Sequence, residues 1–289
     1  MTDFLQRFLF EHAPIRGEIV HLDATWRTVL ENHDYPPALR ALLGEMMAAA
    51  ALLAATLKFD GTLILQIQGG GPVRLLVVEC TSQHHMRATA KWDGEPACGE
   101  LRSLVGAAKL VITLVSDGGK QSYQSVVELE GAGIAEVLEH YMQTSEQLAT
   151  RLWLACDDRR AAGLLLQKLP QREEADSDDW RRAQHLASTL SSPELLQLDP
   201  QQILHRLYHE DDLRIFGPRP VVFRCSCTRE RVVAMLRMLG HDEIRSILDE
   251  RGNIDVNCEF CNRKYRFDRI DAELVFATAQ PLQAGTTRH

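Results

Sequence analysis

The sequence has little that would hold it to a polyanion, a membrane or a secretory route. Positive charge is in deficit: 32 Lys and Arg stand against 40 Asp and Glu, a formal −8 at pH 7. Affinity for long nucleic acids comes from cationic side chains displacing counterions, so this balance excludes nucleic acid as the expected partner. Long apolar runs are missing too. The longest, residues 46–55, is ten residues of mostly Ala, half of the ~20 needed to cross a bilayer, and reads as a buried helix with no membrane association. The start, Met1-Thr2-Asp3-Phe4-Leu5, lacks the cationic residues and cleavage site of a signal peptide, which predicts a soluble, cytoplasmic protein. No nucleophile elbow or Ser-His-Asp pattern is present. His205 and His209 are no zincin pair, because Arg206 stands where that motif needs Glu, and they read as a solvated helix face.

What remains is ordinary and large enough to fold. A chain of 289 residues with 45% hydrophobic, 6% aromatic and 25% charged residues excludes wholesale disorder, a collagen-like repeat and a heptad rod, and suggests about two domains. Residues 39–57 place apolar side chains at helical spacing, with Ala48 to Ala51 allowing close packing. Residues 62–68 alternate, Gly69-Gly70-Gly71-Pro72 punctuates, and 73–78 resume. That is a hairpin; the glycines are its turn and no phosphate loop, since a strand follows them. Further strands are expected at 110–115 and 123–129 around the turn Asp117-Gly118-Gly119, a helix at 134–141 and a short buried strand at 164–167. Strands in consecutive runs predict an α+β fold with mostly antiparallel sheets over residues 1–170.

Composition changes at residue 171. Between 171 and 213 four Arg meet ten Asp and Glu, a net of −6, beginning with Arg172-Glu173-Glu174-Ala175-Asp176-Ser177-Asp178-Asp179. Ser191-Ser192-Pro193-Glu194 starts one helix and Asp199-Pro200 another, in which Ile203, Leu204, Leu207 and Tyr208 share a face. Two readings stay open for 171–217: a marginally stable linker with one apolar stripe, or a permanently docked, solvated helix pair. Gly217-Pro218-Arg219-Pro220 marks a boundary before residues 218–289, which carry 12 basic and 10 acidic side chains.

The last region holds the strongest pattern. Cys225-Ser226-Cys227 and Cys258-Glu259-Phe260-Cys261 are two thiol pairs separated by thirty residues. Two close pairs on separate turns supply the four thiolates, each ~2.3 Å from the metal, of a tetrahedral Zn²⁺ site. Val232, Val233, Leu236 and Leu239 before Gly240, then Ile244, Ile247 and Leu248 before Gly252, predict two helices between the pairs. The excess −2 of such a centre can be offset by Arg224, Arg229, Arg263, Lys264 and Arg266 nearby. Cys80, Cys98 and Cys156 are scattered and read as buried, inert thiols. In an extended chain Cys-x-Cys holds its Cα atoms near the upper limit for a disulfide, whereas Cys-x-x-Cys closes more easily, an asymmetry that suits a centre built to open under oxidant. Two rival classes stand beside that reading: a zinc-ribbon nucleic-acid-binding protein, and a thiol oxidoreductase using Cys258 and Cys261.

At these residues the chain resembles the bacterial heat shock protein 33 family of redox-regulated holdase chaperones. The resemblance runs through Leu30-Glu31-Asn32-His33-Asp34-Tyr35-Pro36, Ala55-Thr56-Leu57-Lys58-Phe59-Asp60-Gly61, Val126-Val127-Glu128-Leu129-Glu130-Gly131, Ser145-Glu146-Gln147-Leu148 and Arg206-Leu207-Tyr208-His209-Glu210, and ends in the Cys-x-Cys and Cys-x-x-Cys pairs. It implies a large N-terminal α+β domain (1–170), an acidic metastable helical linker (171–217) and a C-terminal zinc switch (218–289). Cys225, Cys227, Cys258 and Cys261 would hold one Zn²⁺ per chain in the reduced, inactive protein. Oxidation would form the disulfides Cys225–Cys227 and Cys258–Cys261, release zinc and unfold switch and linker. The implied product is a homodimer that holds unfolding client proteins without ATP under oxidative stress, and it is no enzyme.

Overall fold

The chain opens with an antiparallel hairpin, β1 (Phe4–Phe10) and β2 (Ile15–Leu22). Its alternation sends Leu5 and Val20 to one face and Phe8, Phe10, Ile15 and Ile19 to the other, so both faces must be covered. The computed structural model describes residues 3–117, 122–170 and 177–277, in two compact units, Met1–Arg224 and Cys225–His289. In the first unit the hairpin is followed by the helices α1 (Ala24–Asn32) and α2 (Pro37–Thr56) and the strands β3 (Gly61–Gly69), β4 (Val73–Thr81) and β5 (His85–Trp92). A short helix α3 (Leu101–Val105), the strands β6 (Ala108–Ser116) and β7 (Ser122–Glu128), helix α4 (Ile134–Thr144), and the hairpin β8 (Thr150–Cys156) and β9 (Ala161–Lys168) come next. Three helices, α5 (Ser177–Ala187), α6 (Ser192–Gln197) and α7 (Pro200–Tyr208), then lead into the short strands β10 (Leu213–Ile215), β11 (Arg219–Pro220) and β12 (Val222–Phe223).

These strands build two sheets. One runs β10-β1-β2-β9-β8 with β11 also on β1, antiparallel throughout; the other runs β12-β5-β4-β3-β6-β7, antiparallel except for the β12–β5 pair. This is the α+β, mostly antiparallel architecture that the consecutive strand runs predict. The hairpin turn at Gly69 to Gly71 needs its glycines, since a Cβ on Gly71 would lie 2.6 Å from the Gly106 nitrogen. Gly118 and Gly119 of the expected turn, and residues 172–176 of the acidic stretch, lie outside the described residues.

Helix α2 fills the space between the sheets. At 20 residues it is, among the described residues, the one helix long and apolar enough to cross a membrane, yet its Leu43, Met46, Met47 and Ala48 to Leu52 are fully buried against strands of both sheets. It has no basic residue in its last turn. Two strand arginines complement its C-terminal carbonyls instead: Arg7 donates to Ala55 O at 2.5 Å and Arg16 to Thr56 O at 3.2 Å.

The face of the first sheet opposite α2 is covered by the acidic segment. Ile203, Leu204, Leu207 and Tyr208 of α7 are buried with Ala183 and Ala187 of α5 on Phe8, Phe10, Ile15, Ile19, Leu164 and Leu166. Gly17, opposite Phe8 in the hairpin, leaves room for the Phe8 ring in that layer, because a Cβ there would sit 2.0 Å from Phe8 Cζ. Residues 177–217, read above as a linker, therefore lie in the first compact unit, and Gly217 to Pro220, read as a boundary, includes a strand paired to β1. The units divide between Arg224 and Cys225. The second contains α8 (Arg229–Leu239), α9 (His241–Arg251), the hairpin β13 (Ile254–Asn257) and β14 (Lys264–Phe267), and α10 (Arg269–Ala277). Its two first helices end at Gly240 and Gly252, as their glycines predict, and Gly252 takes the left-handed conformation at φ 77°.

Candidate metal centre

The second unit has a small core: Leu236, Ile244, Leu248, Ile254, Tyr265, Phe267 and Ala272 are buried in one apolar cluster, with Cys227 and Cys258 packed against them. Cys225 and Cys227 lie just before α8. Thr228 caps that helix by accepting the Arg231 N–H at 3.3 Å, so Cys227 sits at a helix N-terminus, where amide dipoles favour a thiolate. Cys258 and Cys261 occupy the turn between β13 and β14. The Cys258 N–H donates to Arg263 O at 2.9 Å, the Asn262 N–H donates to Cys258 O at 2.8 Å, and Asn262 adopts φ 52° to close the turn.

These two turns bring the four sulfurs together. All lie within 4.8 Å of one another, with Cys225 and Cys258 3.6 Å apart and Cys227 and Cys261 3.3 Å apart. Sulfurs placed ~2.3 Å from a tetrahedral Zn²⁺ would be about 3.8 Å apart, so the cage fits such an ion. The thiols are free, and their separations are far beyond the ~2.05 Å of a disulfide. Among the described residues this is the one cluster with such metal-ligating geometry.

The thiols are not equivalent. Burial pushes Cys225 and Cys261 up. Burial works the same way on Cys227, but the Tyr265 hydroxyl, donating to its sulfur at 3.2 Å, and the neighbouring thiols outweigh it and bring Cys227 to about 7. Of the five cations expected to offset the centre's charge, Arg263 faces Cys227 and Cys261. Arg229 is taken by Asp271 at 2.9 Å and the Phe267 ring at 4.2 Å, and Arg266 pairs with Asp255 at 2.7 Å.

The remaining candidates separate from the centre. Cys80 is buried, which pushes it up to about 12, and Cys156 is half-buried and also raised by burial. Cys98 is exposed, contrary to the expectation of a buried thiol, because it lies in the Gly- and Pro-containing segment between β5 and α3 rather than in a strand. His205 and His209 share an exposed face, their rings 5.7 Å apart.

Sequence reasoning missed the polar fixings of the acidic segment. Arg160, in the β8–β9 turn, pairs with Asp23 and also donates to Leu196 O at the end of α6. Tyr208 Oη donates to Ala183 O at 3.0 Å, joining α7 to α5. His21 of β2 is 3% exposed with its Nε2 unpartnered, and it lies beside Leu195 of α6. Tyr265 was missed as well; its place directly after the basic pair Arg263-Lys264 of the metal turn was the available signal.

Fold and site define an α+β protein with a four-thiol, metal-capable centre in a small C-terminal unit. A family model described as "Hsp33 protein" matches residues 3–268. The chain belongs to the Hsp33 family. It is 51% identical to the 33 kDa chaperonin of Methylobacillus flagellatus, covering 100% of this chain and 99% of that protein. It is 47% identical to the 33 kDa chaperonin of Nitrosococcus oceani, with 99% of each covered. A solved structure, the 33 kDa chaperonin of Thermotoga maritima, shares the fold with a TM-score of 0.83 over 95% of this chain and 98% of that one, at 23% identity.

Proposed function

We propose that this protein is a redox-regulated, ATP-independent holdase chaperone that works in the cytoplasm under oxidative stress and is no enzyme. The observation that carries the reading is the gathering of Cys225, Cys227, Cys258 and Cys261 in a unit with only a small apolar core. The names of its full-length relatives as chaperonins support it. Functionally the chain divides into a core domain (1–170), a releasable linker (171–217) and a switch domain (218–289). Bound Zn²⁺ would supply about 10–16 kcal/mol of apparent folding free energy, as much as a whole domain's stability.

In each pair two thiolates, one hydrogen peroxide and two protons give one disulfide and two waters. The pairs are Cys225–Cys227 and Cys258–Cys261. Disulfide sulfurs no longer serve as thiolate ligands, the metal's folding free energy is lost, and the switch domain melts. The linker, continuous with it through 218–224, then leaves the first sheet. That step uncovers Phe8, Phe10, Ile15 and Ile19 together with the stripe Ile203, Leu204, Leu207 and Tyr208. Fresh apolar surface of this kind binds unfolding client proteins and a second copy of the chain. The partners are thus clients and a homodimer mate, with no role for nucleic acid or membrane.

The test follows aggregation of a thermally unfolding protein with reduced and peroxide-treated chain, alongside release of zinc. Suppression of aggregation that appears together with one equivalent of zinc is expected. Equal suppression by the reduced, zinc-loaded chain would overturn the redox reading.

A further inference from the structure

Three of the four sulfurs face different donors. Backbone N–H groups of Cys227 and Arg263 face Cys225 and Cys261, respectively. Cys227 instead receives a side-chain donor, the phenol of Tyr265 at 3.2 Å. Tyr265 lies on β14 opposite Val256 of β13, and its ring packs in the core of the second unit. A phenol buried by its ring needs a partner for its hydroxyl, and this one is aimed at sulfur. Arg263, in the turn two residues before the phenol, faces both it and the sulfurs of Cys227 and Cys261, which orients the hydroxyl without competing for the bond it donates.

We propose that Tyr265 is a restraint on Cys227, its donated O–H occupying the sulfur lone pair that would otherwise attack an oxidant. The oxidant is hydrogen peroxide. The thiolate sulfur attacks one peroxide oxygen, the O–O bond breaks, hydroxide leaves and is protonated to water, and sulfur becomes a sulfenic acid. The second thiolate of the pair attacks that sulfur, the S–O bond breaks, and a second hydroxide leaves as water, so two electrons from two thiolates reduce one peroxide. Where a bound metal already keeps Cys227 deprotonated, the thiolate fraction no longer varies, and a hydrogen bond donated to the sulfur draws off the charge with which it attacks, so nucleophilicity falls by a factor of about three per tenfold loss of basicity. Outer-shell donors of this kind tune metal-bound thiolates generally. The inference rests on the switch reading for its consequence in the cell, but the chemical claim concerns one sulfur alone.

Tyr265→Phe in the full-length, zinc-loaded chain removes the hydroxyl and keeps the ring. Cysteine-by-cysteine rates of modification, by isotope-coded iodoacetamide and by peroxide, are read by mass spectrometry, with zinc content measured in parallel and no client present. Cys227 should react about two- to fivefold faster while Cys225, Cys258 and Cys261 keep their rates and zinc stays bound. An unchanged Cys227 rate would overturn the inference, and so would equal acceleration of all four, which marks a loosened fold. Should Tyr265→Phe fail to fold, 3-fluorotyrosine at position 265, a stronger donor of nearly the same size, should slow Cys227; no slowing counts equally against it. A chain that fails the holdase assay yet shows the Cys227 effect refutes the proposed function and leaves this inference standing.

Discussion

Arg160 and Asp23, 137 residues apart in sequence, meet through two parallel hydrogen bonds, Nε to Oδ1 at 2.5 Å and Nη2 to Oδ2 at 2.9 Å. The remaining guanidinium nitrogen donates to the Leu196 carbonyl, so one side chain ties the start of α1, the β8–β9 turn and the end of α6 together. Both side chains are 15% exposed, which makes the pair stronger than a surface bridge. Arg160→Ala should cost docking of α6 about 2 kcal/mol. Amide exchange across residues 192–208 of the reduced protein should accelerate, and its basal holdase activity should rise. Unchanged exchange there would show that Arg160 does not fasten the helix.

Leu204 is 2% exposed in the apolar layer under α7. Leu204→Asp places an unpaired carboxylate in that layer, at a cost of several kcal/mol, and should release the segment without oxidation. Reduced Leu204→Asp protein should suppress aggregation while all four thiols remain titratable. Suppression that still waits for peroxide would separate this stripe from activation.

Removing the metal ligands should divide the molecule's stability. With Cys225, Cys227, Cys258 and Cys261 all changed to Ser, the second unit keeps only its small core and should lose its structure, while the larger core of the first remains. Hydrogen exchange by region reads this out, and metal analysis of the parent should find one zinc per chain. A second unit that stays protected in the quadruple variant would contradict the metal's structural role.

Acid should loosen the acidic segment through His21. Burial and the nearby Arg160 push this ring from 6.5 down to about 4, against Leu195, Asp23 and Asp199, which favour its charge. The released state, with an ordinary histidine, therefore binds the proton first. Docking is fully stable above about pH 6.5 and weakens as pH falls toward 4, by about 3 kcal/mol in all. The protection factors of amides 192–208, which are corrected for the slower intrinsic exchange in acid, should fall from pH 7 to pH 5, and His21→Gln should flatten that fall.

How much of this the sequence disclosed follows physical range. Helix α2, the β3–β4 hairpin and the α8 and α9 helices are written in local periodicity and punctuation, and the four thiols in fixed spacing. The covering of Ile203, Leu204, Leu207 and Tyr208 by β1 and β2 is not local, because it depends on strands about 190 residues earlier. Arg160, Asp23 and His21 acquire their roles only when the sheet forms. Cys98 misled because its neighbourhood resembles a strand until Gly94, Pro96 and Gly99 are allowed to break it. Tyr265 is a plain strand residue until its hydroxyl is seen 3.2 Å from Cys227.

The short strands ahead of Cys225 also guard two open templates. β10 and β11 lie along β1, β12 lies along β5, and the Arg224 N–H donates to Met86 O one residue before the first thiol. Each guard is only two or three residues long, and one of them, β11, ends in Pro220, which has no N–H to offer. Guards so brief unzip readily, and a rim stripped of them presents rows of unpaired amides and carbonyls to any extended chain that drifts past. The same eleven residues that lead into the thiol centre thus cover the edges of both sheets against pairing with another chain's strand.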